Sequence, residues 1–361
     1  QRGMDAADLD VLIAVSPDNF FYLADTLNLS QKIIPDRLSM AVLPRGGEPA
    51  IVTCYNEERQ IRLESWITDI RTYLEFRETP MQPLADLLKE SGLANARIGF
   101  EKHFLAACYV EELAALLPNA TLVGCDRVFD EAKAIKTPVE IEILTDIARQ
   151  TEQVILDSFL EARPGDTEKG VADRISLRVF GAGAVSRWLV LAAGSNTAIN
   201  HPYPGPKALT PGEILRTDVG GNFTGYQSDV ARTAAIGRAS DEQRSVYSRL
   251  REAQREMIES ARPGVRACDV YRLSQEALEK RGLSGTSQAI GHSLGVGLHE
   301  FPVLHAQEET TLKPGMVLNI EPAVKDSQGF LYHIEDLFLV TEDDPQILTM
   351  VMDTEEIFVI R

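Results

Sequence analysis

The stretch Leu209–Thr233, LTPGEILRTDVGGNFTGYQSDVART, decides how the rest of the chain is read. Apolar residues near Asp218, a turn containing Gly and Asn, and a second short run around Asp229 predict a β-hairpin. With Phe223 and Thr224 at the turn, Asp218 and Asp229 fall opposite each other on one face. Opposed side chains of an antiparallel pair sit with Cβ atoms roughly 4.5–5.5 Å apart, where like charges destabilise. A cation between them reverses that sign. On this hairpin alone, two solvated aspartates on an exposed sheet face are the simpler reading.

A second copy of the arrangement changes the balance. Working outward, a long helix over Val139–Ala162, with Thr137 as N-cap and Pro138 in its first turn, ends at Arg163-Pro164-Gly165. A second helix follows over Glu168–Phe180. The same plan returns as helices over Asp241–Ala261, closed by Arg262-Pro263-Gly264, and Ala267–Arg281. After each pair comes a matching tetrapeptide, His201-Pro202-Tyr203-Pro204 and His299-Glu300-Phe301-Pro302. Then comes a matching strand entry, Leu209-Thr210-Pro211-Gly212 and Leu312-Lys313-Pro314-Gly315. Six residues beyond each of those glycines stands a carboxylate, Asp218 or Glu321, followed by a turn and a second carboxylate, Asp229 or Glu335. Two similar halves related by a pseudo-two-fold axis bring four carboxylates to their interface.

Residues 1–132 read as a smaller α/β domain ahead of a catalytic domain spanning 133–361, with the boundary in EAKAIKTPVE. Strand patterns occur at Val11–Val15, Ser39–Leu43, Ala50–Thr53 and Ile98–Phe100, with helical patterns at Pro83–Ser91 and Ala107–Leu117. No phosphate-binding glycine loop is found there, and Glu101, His103 and, further on, His305 read as structural. The 361 residues carry a formal charge of −18, which argues against nucleic acid and anionic membranes as partners. No apolar run approaches the roughly 18 residues that span a bilayer. The first residues, QRGMDAADLD, lack the basic-then-apolar profile of a signal peptide. Cys54, Cys108, Cys125 and Cys268 are scattered with no CxxC pair, as free thiols in a reducing compartment would be. The expectation is a cytoplasmic protein.

Four carboxylates in one buried site cannot all ionise without counter-charge. Two divalent cations bring +4 against −4, and oxygen-rich ligands suit Mn²⁺ first, with Co²⁺, Fe²⁺ or Zn²⁺ as alternatives. A paired-metal site acidifies a bound water and polarises a carbonyl, the equipment for hydrolysing an amide. His292, in the Gly-rich run GHSLGVG, is the candidate nitrogen ligand. His201 and His299 occupy equivalent repeat positions and suit hydrogen bonding to a substrate carbonyl or proton transfer near neutral pH. His333 shares a strand face with Glu335 and joins the substrate-side candidates.

In order, TDVGGNFTGYQSDVART, GHSLGVGLHE, LKPGMVLNIEPAV and HIEDLFLVTED resemble the aminopeptidase P and prolidase family of metallopeptidases over residues 138–361. The resemblance implies the α+β pita-bread catalytic fold with its internal pseudo-two-fold repeat. The first 130 residues are similar to the family's creatinase/prolidase-type N-terminal domain, which implies a homodimer. It further implies Asp218, Asp229, His292, Glu321 and Glu335 as ligands of two metal ions. Asp229 and Glu335 would bridge the ions, Asp218 would serve one of them, and His292 with Glu321 the other. His201 and His299 match substrate-facing histidines. The implied reaction is cleavage of a peptide bond preceding proline by a metal-bridging hydroxide, with Glu321 as general base and a small peptide with proline second as substrate. An Xaa-Pro dipeptidase is expected ahead of an Xaa-Pro aminopeptidase.

Two positions depart from the family pattern. His333 stands where Arg is common, and Asn200 where Pro commonly precedes the first histidine. Arg is a fixed bidentate fork and His is not, so the usual hold on a substrate carboxylate is in question. The alternative is a metal-dependent hydrolase of a small non-peptide amide on the same fold, in the manner of ectoine hydrolase or creatinase. A pita-bread binding module without activity is disfavoured, because all five ligand positions are filled.

Overall fold

The computed structural model describes residues 2–361 and divides the chain into two compact units, Gln1–Ala132 and Lys133–Arg361. The first unit is built on a six-stranded mixed sheet of β1 (Val11–Ala14), β2 (Met40–Pro44), β3 (Ala50–Cys54), β4 (Asp69–Tyr73), β5 (Arg97–Phe100) and β6 (Thr121–Gly124). Their order across the sheet is β4-β3-β2-β1-β5-β6. Residues such as Ile13, Val42 and Val52 face one apolar layer, while Leu12, Ala41 and Ile51 face another. Alternate side chains point to opposite faces of a strand, so a sheet buried on both faces reads as continuous apolar runs. That is how VLIA, MAVLP and AIVTC are written. Glu101 is buried here and accepts hydrogen bonds from the Val15 and Ser16 amides and from Asn19 Nδ2, which makes it a strut between loops.

The second unit carries the repeat. Helices Pro138–Glu161 and Glu168–Gly181 precede β7 (Ser186–Ala193), β8 (Ile214–Phe223), β9 (Tyr226–Gln227) and β10 (Val230–Ile236). Helices Asp241–Ser260 and Ala267–Glu279 precede β11 (Ala289–Ser293), β12 (Glu300–His305), β13 (Val317–Ile320), β14 (Ala323–Lys325), β15 (Leu331–His333) and β16 (Asp336–Leu339). β17 (Gln346–Ile347) joins β16, and β18 (Phe358–Ile360) returns to pair with β10. The first half-sheet runs β18-β10-β8-β7 with β9 on β8, and the second runs β12-β11-β13-β16-β17. Thr137 caps the first helix in a reciprocal capping box with Glu140.

Matched sequence gives matched bonds. The Gly165 amide donates to the Leu209 carbonyl at 2.9 Å, and Gly264 donates to Leu312 at 2.9 Å. Gly212 donates to Ile236 and Gly315 to Val340, each at 2.9 Å. All four glycines sit at φ between +86° and +95°, which explains why ARPG and the two Leu-X-Pro-Gly entries recur with glycine last. The halves meet along β10. The Glu335 amide donates to the Ala231 carbonyl at 3.0 Å, and Thr233 Oγ1 both donates to the His333 carbonyl and accepts from its amide.

The register of the first hairpin differs from the expectation. Its central turn residues are Thr224 and Gly225, both at positive φ, and Asn222 pairs with Gln227. Asp218 therefore faces Ala231 and not Asp229. A turn one residue later shifts the register by two, which preserves the face, whereas a slip of one would reverse it. Asp229 lies in the break between β9 and β10. Gly220 is what allows this break, since a Cβ there would meet the Ser228 carbonyl oxygen at 2.1 Å. In the second hairpin Ile320 pairs with Asp336 and Ala323 with His333, so Glu321 and Glu335 fall opposite each other between two ladders.

Candidate metal centre

Strand β8 carries Asp218, and the two hairpin breaks bring Asp229, Glu321 and Glu335 to it. Carboxylate oxygens of Asp218, Asp229 and Glu335 lie within 4.8 Å of one another, and so do ligand atoms of Asp229, His292 and His299. Asp229 belongs to both groups. Glu321 joins through His292, whose Nε2 is 3.6 Å from its Oε1. His333 sits among these acids, with Nε2 3.5 Å from Glu321 and Nδ1 3.9 Å from Asp218. His299 is exposed and stacks on His292 with ring centroids 3.8 Å apart, nearer the acids than a purely substrate-side group would need to be. His201 is exposed and outside both groups; its ring meets Trp188 edge-on at 5.6 Å.

Neighbours that the sequence did not single out fix these side chains. Trp188 Nε1 donates to Asp218 at 3.3 Å. Asn319 accepts from the His292 amide at 2.7 Å, and its Nδ2 donates to Glu335 and faces His292 Nε2 at 3.1 Å. His292 Nδ1 lies 3.0 Å from the Ser293 carbonyl, so the proton belongs on Nδ1 and the lone pair on Nε2. Arg232 is buried, with Nη1 donating to the Glu335 carbonyl and Nη2 to Glu152 and Asp336. Lys136 Nζ pairs with buried Glu300 at 2.9 Å, and Glu300 also accepts from the Gly297 amide at 3.0 Å, which pins the loop ahead of His299. Alternation along a strand could have placed Arg216, Asp218 and Asn319 on inward faces; nothing in sequence names their partners.

Electrostatics separates the members. Burial raises Asp229 well above the usual carboxylate range, and Glu335, Asp218 and Glu321 push further the same way. Glu335 is raised by burial and by Asp218 and Glu321. Glu321 is lowered, because His333 and His292 outweigh its own desolvation. Burial pushes the His292 imidazole down, against the pull of Glu321, which favours the neutral ring a metal ligand needs. Among the described residues no Lys or Arg forms an ion pair with Asp218, Asp229, Glu321 or Glu335; only histidines do. Asp229 Oδ1 is buried with no hydrogen-bond partner. Clustered acids, an orphaned carboxylate oxygen and a neutral imidazole fit divalent cations and suit nothing that the chain itself supplies.

Residues 142–342 match the metallopeptidase family M24, and residues 1–135 match the creatinase/prolidase N-terminal domain. The chain is 28% identical over 313 residues to the Xaa-Pro dipeptidase of Lactobacillus helveticus, covering 85% of each chain. It is 30% identical over 227 residues to the Xaa-Pro dipeptidase of Pyrococcus furiosus, covering 62% of this chain and 65% of that one. The crystal structure of dipeptidase PepE from Mycobacterium ulcerans superposes with a TM-score of 0.85 at 27% identity, over 99% of this chain and 95% of the other. The chain thus belongs to metallopeptidase family M24, a pita-bread hydrolase that follows a creatinase/prolidase-type N-terminal domain.

Proposed function

We propose that the chain is an Xaa-Pro dipeptidase, a hydrolase that uses two divalent ions to cleave the bond between a residue and a following proline. One observation carries this reading: Asp218, Asp229 and Glu335 converge in a site where Asp229 and Glu335 resist ionisation until a cation arrives. Asp218, Asp229, His292, Glu321 and Glu335 would hold the ions, Mn²⁺ first among Mn²⁺, Co²⁺, Zn²⁺ and Fe²⁺. Asp229, which belongs to both groups of ligand atoms, would serve both ions, and Glu335 would be the other shared acid. When bound, the ions supply an acidified water and polarise the scissile carbonyl.

The chain's own groups do the rest. Glu321, held ionised beside His333 and His292, accepts the proton of the attacking water. His299 and His201, at equivalent positions of the repeat, donate hydrogen bonds to the oxygen on which charge develops. Trp188, between His201 and Asp218, orients both. His333, beside Glu321 and Asp218, is a further substrate-side group. The unit Gln1–Ala132 serves as the accessory domain of a homodimer. Four free cysteines suit the cytoplasm, and among the described residues no helix is long and apolar enough to cross a membrane.

The test is hydrolysis after metal removal and add-back of Mn²⁺, Co²⁺ or Zn²⁺, on Xaa-Pro dipeptides, Xaa-Pro-Xaa tripeptides and small cyclic or amidine amides. Metal-restored cleavage of dipeptides alone is the expected result. Cleavage of tripeptides makes the enzyme an aminopeptidase. Stoichiometric metal with no peptide cleaved removes the peptidase reading and leaves the non-peptide amide.

A further inference from the structure

Lys136 and Glu300 form an ion pair whose side chains are 1% and 2% exposed. A lysine ammonium has three donors, and here each has an acceptor: the Lys133 carbonyl at 2.7 Å, Ser293 Oγ at 3.0 Å and Glu300 Oε2 at 2.9 Å. Ser293 follows His292 in the chain, and Glu300 follows His299. One nitrogen thus ties together the neighbours of both stacked imidazoles, whose centroids are 3.8 Å apart. The other oxygen of Glu300 accepts from the Gly297 amide at 3.0 Å and lies 3.4 Å from Lys133 Nζ. Gly295 leaves room for this carboxylate, since a Cβ there would meet Glu300 Oε2 at 2.7 Å.

Backbone pairing alone does not set the spacing of the two rings. β11 and β12 pair Ser293 with Glu300, but their register shifts on both sides of His292. A side-chain tie supplies the fixed distance that the ladder lacks. Stability is a poor reason for such a pair, because desolvating two charges offsets much of their attraction. The first half of the repeat makes the contrast: Pro202 stands where Glu300 does, and His201 is exposed and lies outside both groups of ligand atoms. We propose that Lys136 is a positioning residue that acts through Ser293 and Glu300. It holds His292 on the metal side and His299 on the substrate side of one imidazole stack. The inference rests on the Xaa-Pro reading for the role of His299, and its metal side stands without that reading.

The experiment is a pair of mutant cycles on the full chain. Lys136→Met and His299→Ala, singly and together, are assayed on Leu-Pro in the metal-loaded enzyme. Lys136→Met should lower kcat by roughly 10- to 100-fold with little change in KM, the cost of displacing a reacting group by about 1 Å. In His299→Ala the same change should cost little more, because it acts through that ring. The second cycle titrates Mn²⁺ into metal-free Lys136→Met, His292→Ala and the double variant. Lys136→Met should weaken Mn²⁺ binding by roughly 10-fold or more, and should add nothing to His292→Ala. A role in stability alone would lower the melting temperature and leave kcat and Mn²⁺ affinity where they were. Unmoved kcat, unmoved Mn²⁺ affinity, or losses that add in either cycle overturn the inference. If the wild type does not cleave Leu-Pro, the Xaa-Pro reading falls and the Mn²⁺ cycle alone decides on Lys136. Lys136→Met/Glu300→Gln, which removes both charges together, takes the place of Lys136→Met in both cycles if the single variant folds poorly.

Discussion

Glu335 and Asp336 are neighbours in the chain, and each is about 1% exposed, yet they face different surroundings. Asp336 accepts from Arg232, Arg251 and Thr349, and these arginines hold it below its ordinary range although burial alone would raise it. Glu335 meets Asp218 and Glu321 and is raised. On one side of a single peptide the chain supplies its own cations; on the other it withholds them. Acids of the first kind hold the two half-sheets together, since Arg232 also grips Glu152 on the first long helix and the Glu335 carbonyl. Acids of the second kind await a ligand. What separates the two carboxylates here is whether a guanidinium forms a salt bridge with the side chain.

The largest effect should come from the acid common to both ligand groups. Asp229→Asn should lose both metal ions and cut hydrolysis by at least roughly 10³-fold, while the metal-free fold melts no lower than the wild type. Metal content by elemental analysis and a thermal melt check this, and retained activity would sink the shared-ligand assignment. The opposite pattern belongs to the paired acids. Glu152→Ala or Asp336→Ala leaves arginine charge buried without its partner and should cost about 3–5 kcal/mol in a denaturant melt. A near-neutral result there would erase the contrast between the two clusters.

Much of this could be read in the sequence, for definite reasons. ARPG, His-X-X-Pro and Leu-X-Pro-Gly recur because each fixes backbone geometry, and backbone geometry is written in glycine and proline. The acids follow at a fixed offset from those marks. The register of the first hairpin escaped because Thr224 adopts φ +51°, a conformation that threonine seldom takes and sequence does not advertise. In the first unit, β4 (DIRTY) and β6 (TLVG) escaped too; β4 buries only Ile70 and Tyr73 and β6 is largely uncovered, so no continuous apolar run marks them. The pairing of Arg232 with Asp336 is a long-range fact that no local pattern holds.

Asn319 sharpens the comparison on the metal side. It touches His292 twice and Glu335 once, doing with hydrogen bonds what Arg232 does for Asp336 with charge. Asn319→Ala should weaken metal affinity by roughly 10- to 100-fold and leave the substrate preference unchanged, the size expected when a ligand loses its orienting partner. A metal titration that leaves affinity unmoved would mean that the β-strands alone position His292.

The smallest expected effect is a difference of sign with pH. Asp336, lowered in the folded chain, contributes stability above its unfolded value near pH ~3.9 and loses it only as pH falls through its folded value. Asp229 and Glu335, raised in the folded metal-free chain, bring no penalty while protonated in both states; the penalty grows as pH climbs above about 4 toward their folded values. Between pH 7 and pH 5 the first cluster is therefore silent and the second responds through its two raised acids, with buried His292, lowered in the folded chain, pulling the other way. Metal-free protein should melt a few degrees higher at pH 5 than at pH 7, and added Mn²⁺ should stabilise more at pH 7, where the acids it neutralises are the ones in conflict. In Asp229→Asn the pH dependence should shrink, because one of the two raised acids is gone. A metal-free melt that falls on acidification through this range would show that the four acids are already balanced from within, and the distinction between the two clusters would fail at the point where the chain passes from Glu335 to Asp336.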